Sequence, residues 1–141
     1  SKSVFNAFNT LKNLDDKSIV LIHDAARPFV SDDLIDRIVT ATTQWGAAVP
    51  AINVTDTIKQ VDENNAVIKT LPRDSLRAVQ TPQGFWYGLL KKAYDQLNCR
   101  GTWPALTDEA MMVETLGHKV RVVEGEVENV KVTTERDLRG T

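Results

Sequence analysis

Cysteine and histidine are scarce in this chain of 141 residues, which contains one cysteine and two histidines. The lone cysteine, Cys99, excludes an internal disulfide and a cysteine-based metal site, and it favours a reducing compartment. Two histidines and one cysteine also do not suggest a zinc centre. The seven glycines are scattered, so the sequence contains no glycine-rich phosphate-binding loop.

Strong charge and long apolar runs are missing as well. The chain has 17 basic and 19 acidic residues, and this weak acidic balance argues against a dedicated binder of duplex DNA. No apolar run approaches the roughly 20 residues that span a bilayer. We therefore expect neither nucleic acid nor membrane as a partner. A hydrophobic content of 42% excludes wholesale disorder and suits one domain with a buried core.

Alternating helix and strand patterns indicate an α/β fold. Apolar residues at helical spacing predict a helix over residues 3–13, and a nearly continuous apolar run predicts a strand at 18–23 that is buried on both faces. A helix capped by Ser31 or Asp32 and a strand over 47–52 complete a β–α–β unit, which predicts a parallel strand pair in a mostly parallel sheet. Further predicted elements are strands at 76–80, 120–124 and 127–132 and helices at 86–98 and 107–117, the second of which Thr107 can cap. A last helix is begun by a capping box of Thr134 and Asp137.

An inserted β-hairpin interrupts this alternation. Residues 57–61 and 66–70 each alternate between polar and apolar side chains, on either side of a polar turn. A small apolar face on a long hairpin seldom buries itself alone. We therefore expect this arm, about residues 54–80, to lean on a partner subunit.

Residues 23–28 form the most suggestive cluster for chemistry. Asp24 directly follows the first predicted strand, and open parallel sheets bind ligands beyond the carboxyl ends of their strands. A carboxylate there can bind a divalent cation or a ribose hydroxyl, and Arg27 can bind phosphate or pair with Asp24. A structural Asp24–Arg27 pair that only shapes the loop explains the pattern equally well. His23 is better explained as a structural residue than as a base.

Other candidate residues carry weaker signals. Lys131 stands between two valines in an extended segment, so its side chain projects to the face opposite theirs. If that face lines a cleft, the ammonium group can bind phosphate or stabilise a transition state; otherwise it is an exposed strand lysine. Thr57, Arg73 and Thr81 belong to the hairpin region and are possible phosphate ligands.

Six short segments are specific by their order, although each is weak alone. They read VLIHDAARPF at 20–29, DTIK at 56–59, QTPQ at 80–83, TDEA at 107–110, EG at 124–125 and NVKVT at 129–133. Over essentially its whole length the chain resembles the 2-C-methyl-D-erythritol 4-phosphate cytidylyltransferases of the non-mevalonate isoprenoid pathway.

The resemblance implies a Rossmann-like nucleotidyltransferase fold and a defined reaction. CTP and methylerythritol 4-phosphate would be the substrates, CDP-methylerythritol and pyrophosphate the products, and Mg²⁺ the required divalent cation. It further implies a homodimer formed through the arm, in the cytoplasm or, for a plant or algal protein, in the plastid.

The resemblance also implies nucleotide-binding roles for individual residues. Asp24 would lie beside the ribose and the metal, which makes it the expected metal ligand. Ala25 and Arg27 belong to the same loop, which Arg27 supports, and Ser3 would lie near the cytosine.

The implied substrate-binding and catalytic residues lie further along the chain. Lys131 would position the methylerythritol phosphate next to the α-phosphate and act in catalysis. Thr57 and Arg73 lie on the arm and would serve the partner's active site, Arg73 as a second catalytic residue. Thr81 and Thr107 would line the substrate pocket.

The chain departs from the family pattern at its beginning. The family opens with a glycine-rich loop and a Pro-Lys-Gln segment that hold the CTP triphosphate, and nothing here matches them. We therefore expect residues 1–141 to be a partial domain, the C-terminal portion. Two alternatives remain: a ribitol 5-phosphate cytidylyltransferase, which the Ala25-Ala26 pair and residues 107–110 disfavour, and a non-catalytic α/β interaction module.

The missing triphosphate segment predicts that this chain does not catalyse cytidylyl transfer unaided, because the charge on the triphosphate would lack its partners. Incubation with CTP, Mg²⁺ and methylerythritol 4-phosphate should release pyrophosphate far below the rate of a complete enzyme. Release at a normal rate would contradict the expectation.

Overall fold

A computed structural model describes residues 2–101 and 106–133. The helices are α1 (Lys2–Phe8), α2 (Asp32–Trp45), α3 (Tyr87–Cys99) and α4 (Glu109–Thr115), with a short 3-10 turn at Arg73–Ser75. The strands are β1 (Ile19–Ile22), β2 (Ala47–Asn53), β3 (Lys59–Val61), β4 (Val67–Thr70), β5 (Arg77–Val79), β6 (Gln83–Trp86) and β7 (Arg121–Glu124). The predicted capping box of Thr134 and Asp137 lies outside the described residues.

The main sheet is mixed rather than a run of parallel neighbours. Strand β6 lies between β1 and β2 and pairs antiparallel with both, so β1 and β2 point the same way without touching. A parallel pair is formed instead by β2 and β7. The α/β class is confirmed, but the expected pairing of β1 with β2 is wrong, because a strand from much later in the chain takes the place between them.

A bulge separates β5 from β6, which both lie along the same edge of β2. Ala51 pairs with Val79 and Ala48 pairs with Gly84, so residues 80–83 stand opposite only two residues of β2. The amide of Gln80 still donates to the carbonyl of Pro50 at 2.8 Å. Bulges locally bend a strand and redirect its side chains. This one brings Thr81 to the loop that follows β1.

Helices cover both faces of the sheet. Phe85 of β6 is fully buried in the main core, where it packs with Leu90 and Tyr94 of α3 and with residues of α4 and α1. The neighbouring residue Gly84 faces α2, because successive strand residues point to opposite faces. Gly84 has no side chain, and a Cβ there would collide with the Thr42 hydroxyl of α2. The absence of a side chain thus allows α2 to approach the sheet.

Two predicted elements differ from the observed ones at the N-terminal end. Helix α1 ends at Phe8 rather than near residue 13. Strand β1 is only partly buried, with Leu21 37% exposed, instead of being buried on both faces. The reason is that β1 lies at one edge of the described sheet, paired on one side with β6.

The predicted hairpin is present as a separate two-stranded sheet. Strands β3 and β4 pair antiparallel, and every residue in them is exposed. Its apolar side chains Val61, Val67 and Ile68 are 47%, 58% and 58% exposed. Within the described residues, none of the helices is long and apolar enough to cross a membrane.

Gly84→Ala should lower the free energy of unfolding by about 1–3 kcal/mol, because the new methyl group would overlap the Thr42 hydroxyl and press on Ile38. Denaturant unfolding measures this loss. Thr42→Ala removes the overlapping hydroxyl, so the double variant should lose less than the sum of the two single losses. Strictly additive losses would show that the overlap is not the cause.

Candidate active site

A cavity of about 350 Å³ opens where β1 ends. Its walls come from α1, from the loop after β1, from the bulge between β5 and β6, and from the turn before α4. Four of the residues predicted from the sequence line it: Asp24, Ala25, Thr81 and Thr107. The fold therefore gathers candidates from three distant segments at one place.

The Asp24 carboxylate is held in position from several sides. Its Oδ1 accepts a hydrogen bond from the amide of Ala26 at 2.9 Å, and its own amide donates to Thr81 Oγ1 at 2.9 Å. Lys131 Nζ lies 3.1 Å from Oδ2. The Ala26 amide, followed by the hydrogen bond from Lys131, lowers the pKa of Asp24, although partial desolvation opposes the shift. The carboxylate is therefore ionised at neutral pH.

Arg27 holds the segment that carries Lys131 instead of pairing with Asp24. Its Nη1 donates to the carbonyl oxygen of Asn129 at 2.7 Å. The amide of Val132 donates to the carbonyl of Ala26 at 2.6 Å. The Asp24–Arg27 pair considered from the sequence is thus wrong, because these contacts bring the ammonium of Lys131 to Asp24 while Arg27 is engaged with the backbone.

Asn129 is a residue that the sequence reasoning missed. Its side chain is fully buried, and Nδ2 donates to the carbonyl of Thr81 at 2.8 Å. Nδ2 also lies 3.4 Å from Gln80 Oε1. Asn129 therefore joins the bulge to the loop after β1 through its contact with Arg27. An asparagine among valines was the available signal, because a polar residue in such a run needs buried partners.

The start of α4 differs from the prediction by one residue. Asp108, not Thr107, is the N-cap residue, and its Oδ1 accepts from the amide of Met111 at 2.9 Å. Its Oδ2 accepts from Gln83 Nε2 at 3.1 Å. Asp108 caps the helix because its carboxylate accepts a hydrogen bond from a free amide of the first turn and also interacts favourably with the helix dipole. Thr107 remains at the cavity wall.

Thr57 and Arg73 do not reach this cavity within one chain. Thr57 is exposed just before β3. Arg73 Nη1 donates to the carbonyl of Thr55 at 2.7 Å, and the arginine lines a different cavity of about 400 Å³ together with Asp74 and Arg77.

Ser3 lies next to the Asp24 cavity rather than in it. It is exposed on α1 and lines an apolar groove of about 340 Å³ along β1. Val4 and Ile22 line both this groove and the Asp24 cavity. Among the residues for which the structure is described, no group of three or more metal-ligating side chains is found.

Comparison with known proteins identifies the family of this chain. Residues 1–140 match the family model for 2-C-methyl-D-erythritol 4-phosphate cytidylyltransferase, IspD. This chain belongs to the IspD family. The family predicted from the order of six motifs is therefore confirmed.

Curated IspD relatives are similar over most of this chain but are longer. The enzyme named for this activity in Clostridium beijerinckii is 42% identical over 133 residues, which is 94% of this chain and 58% of that protein. The one in Geobacillus thermodenitrificans is 44% identical over 133 residues, or 94% of this chain and 57% of the relative. This chain thus spans less than two thirds of the length of these relatives.

Solved IspD structures share the fold. The Francisella tularensis structure superposes with a TM-score of 0.88 at 38% identity, covering 98% of this chain and 64% of that one. The Thermus thermophilus structure has a TM-score of 0.82 at 39% identity, and the match covers 97% of this chain and 64% of the Thermus thermophilus chain. The Rossmann-like α/β fold expected from the resemblance is confirmed.

Lys131→Met should raise the pKa of Asp24 part of the way to its ordinary value, because the ammonium is lost while the Ala26 amide remains. Carbon-13 NMR titration of the carboxyl group measures this. A depressed folded-state pKa stabilises the protein above the unfolded-state pKa, and this contribution disappears as the pH falls through the folded-state value. The variant should therefore lose less stability on acidification.

The matched control is Lys69→Met, which removes an exposed charge from β4 of the arm. It should leave the titration of Asp24 unchanged. An Asp24 pKa that is the same in Lys131→Met and in the parent would contradict the role assigned to the ion pair.

Proposed function

We propose that this chain supplies part of the active site for the transfer of a cytidylyl group from CTP to 2-C-methyl-D-erythritol 4-phosphate. The observation that carries the proposal is the Asp24–Lys131 ion pair, at 3.1 Å, beside a cavity that Ala25, Thr81 and Thr107 also line. The names of the IspD relatives and structures support the same reaction.

The reaction needs positioning and charge neutralisation rather than a protein nucleophile. A phosphate oxygen of methylerythritol 4-phosphate attacks the α-phosphorus of CTP; the new P–O bond forms as the bond to pyrophosphate breaks. Lys131 would hold the attacking phosphate next to the α-phosphate and balance the negative charge that develops there. Asp24 orients the ammonium group, and Arg27 fixes the segment that carries it.

The nucleotide would lie along the loop after β1. Ala25 is exposed at the cavity, so its backbone is open to a ligand, and the Asp24 carboxylate can accept from a ribose hydroxyl. Ser3 lies on α1 next to the same cavity, which supports a position near the cytosine.

Asp24 also fits the role of a Mg²⁺ ligand. Mg²⁺ is usually held by one or two carboxylates together with substrate phosphates and water, so one ionised carboxylate beside a phosphate site suits it. The lowered pKa of Asp24 keeps that carboxylate ionised. When bound, Mg²⁺ would neutralise charge on the phosphates of CTP.

A homodimer would explain the position of the arm. Thr57 and Arg73 lie outside the Asp24 cavity of their own chain, and the hairpin exposes Val61, Val67 and Ile68. Exposed apolar side chains grouped on an extension favour burial against a partner. In such a dimer Arg73, as a second catalytic residue, would bring a guanidinium group to the phosphate in the partner's site, with Thr57 beside it.

Complementation tests this arrangement in a chain extended to the full length of its relatives. Lys131→Met and Arg73→Met should each lower kcat about 100-fold, since each removes a charge that stabilises the transition state. If Arg73 acts across the dimer, mixing the two variants should restore about a quarter of the parent activity, because half of the dimers would carry one intact site.

Arg100→Met, an exposed arginine at the end of α3, is the control and should keep the parent kcat. If the two variants form mixed dimers but the activity does not recover, that result would contradict a site shared between two subunits. Turnover of methylerythritol 4-phosphate should exceed that of ribitol 5-phosphate in the same assay; the reverse order would favour the alternative cytidylyltransferase.

A further inference from the structure

Three hydrogen bonds connect His23, Thr81 and the backbone of Asp24 at the cavity wall. His23 Nε2 lies 2.8 Å from the carbonyl oxygen of Arg27. His23 Nδ1 lies 3.0 Å from Thr81 Oγ1, and the amide of Asp24 lies 2.9 Å from the same oxygen. The sequence favours a structural role for His23 and gives no sign of its contact with Thr81.

The Arg27 carbonyl and the Asp24 amide, at the two ends of this chain of hydrogen bonds, determine which atom donates in each bond. The Arg27 carbonyl can only accept, so in the neutral ring Nε2 carries the hydrogen and Nδ1 has the lone pair. Nδ1 therefore accepts from the Thr81 hydroxyl. The Asp24 amide can only donate, so Thr81 Oγ1 accepts from it and keeps one lone pair.

The hydroxyl of a threonine normally rotates to suit its ligand, but here its hydrogen is already used. We propose that His23 is a positioning residue that turns the Thr81 hydroxyl hydrogen away from the cavity. Thr81 then presents an acceptor, which selects a hydrogen-bond donor such as a polyol hydroxyl and disfavours a phosphate oxygen at that wall. The ammonium group of Lys131 would bind the phosphate instead.

The choice of ligand rests on the proposed function. A phosphorylated polyol has both kinds of group: hydroxyls that donate and a phosphate that accepts. The cavity wall matches this division, because the acceptor at Thr81 and the ammonium group of Lys131 both lie within contact of Asp24.

Nitrogen-15 NMR of the 141-residue chain tests the hydrogen-bond direction, because the protein has only two histidines. At about pH 8.5 the neutral ring of His23 should carry its hydrogen on Nε2. Thr81→Val keeps the shape of the side chain without the hydroxyl, so it should shift the Nδ1 signal of His23. Thr81→Ser, which keeps the hydroxyl, should leave that signal near its parent position.

His118 is the internal control. Its Nε2 lies 3.0 Å from the carbonyl oxygen of Trp45, so it shares the tautomer expected for His23, and its signals should not respond to Thr81→Val. A hydrogen on Nδ1 of His23, or an Nδ1 signal that is the same in the parent and in Thr81→Val, would overturn the proposal.

His23→Phe tests the consequence for binding, because it keeps a flat ring but frees the Thr81 hydrogen. In NMR titrations with inorganic phosphate and with erythritol, the affinity for phosphate relative to erythritol should rise about three- to tenfold. Adding Thr81→Val to His23→Phe should abolish that gain, and His118→Phe should not produce it. An unchanged ratio in His23→Phe would overturn the proposal.

Failure of the proposed function and failure of the His23 assignment would give different results. If the chain extended to the length of its relatives binds neither CTP nor a phosphorylated polyol, that result would count against the proposed function. The tautomer of His23 and its response to Thr81→Val would still decide whether His23 positions the hydroxyl.

Discussion

The hydrogen bond from Arg27 to the carbonyl of Asn129 is the contact on which the site depends. It joins residues 102 positions apart, and it brings the segment of Lys131 against the loop of Asp24. Asn129 extends the same contact to the bulge through its bond to the Thr81 carbonyl. Arg27 Nε and Asn129 Oδ1 are buried without a hydrogen-bond partner among the described residues. Buried polar atoms without a hydrogen-bond partner are uncommon in folded proteins.

The bulge between β5 and β6 determines the position of Thr81, whose carbonyl accepts the hydrogen bond from Asn129. A regular strand beside β2 would keep Thr81 in register with the sheet and point its side chain along the alternation of its neighbours. Two extra residues displace it to the end of β1, where it meets both His23 and the Asp24 amide. The sheet thus provides a rigid support, and an irregularity in the sheet places the Thr81 side chain at the cavity.

The arm differs from this part of the structure, because its two strands form a separate sheet outside the main core. Its strands are exposed, and the hydrogen bond that Arg73 makes within the described residues goes to the carbonyl of Thr55 at the base of the arm. A basic side chain without a buried partner retains its capacity to bind an anion supplied from elsewhere. In the proposed dimer, the site would be divided between a part around Asp24 and a part on the partner's arm.

Local chemistry in the sequence was sufficient to predict the α/β class, the hairpin, the bounds of α3 to within one residue and the position of Asp24 just beyond the end of β1. These features depend on periodicity, on turns and on a carboxylate that follows a strand, all of which are encoded within a few neighbouring residues. Only the tertiary structure decided that β6 separates β1 from β2, that Lys131 rather than Arg27 pairs with Asp24, and that Asn129 is buried. Those outcomes depend on pairings between distant segments, whose relative free energies no local pattern contains.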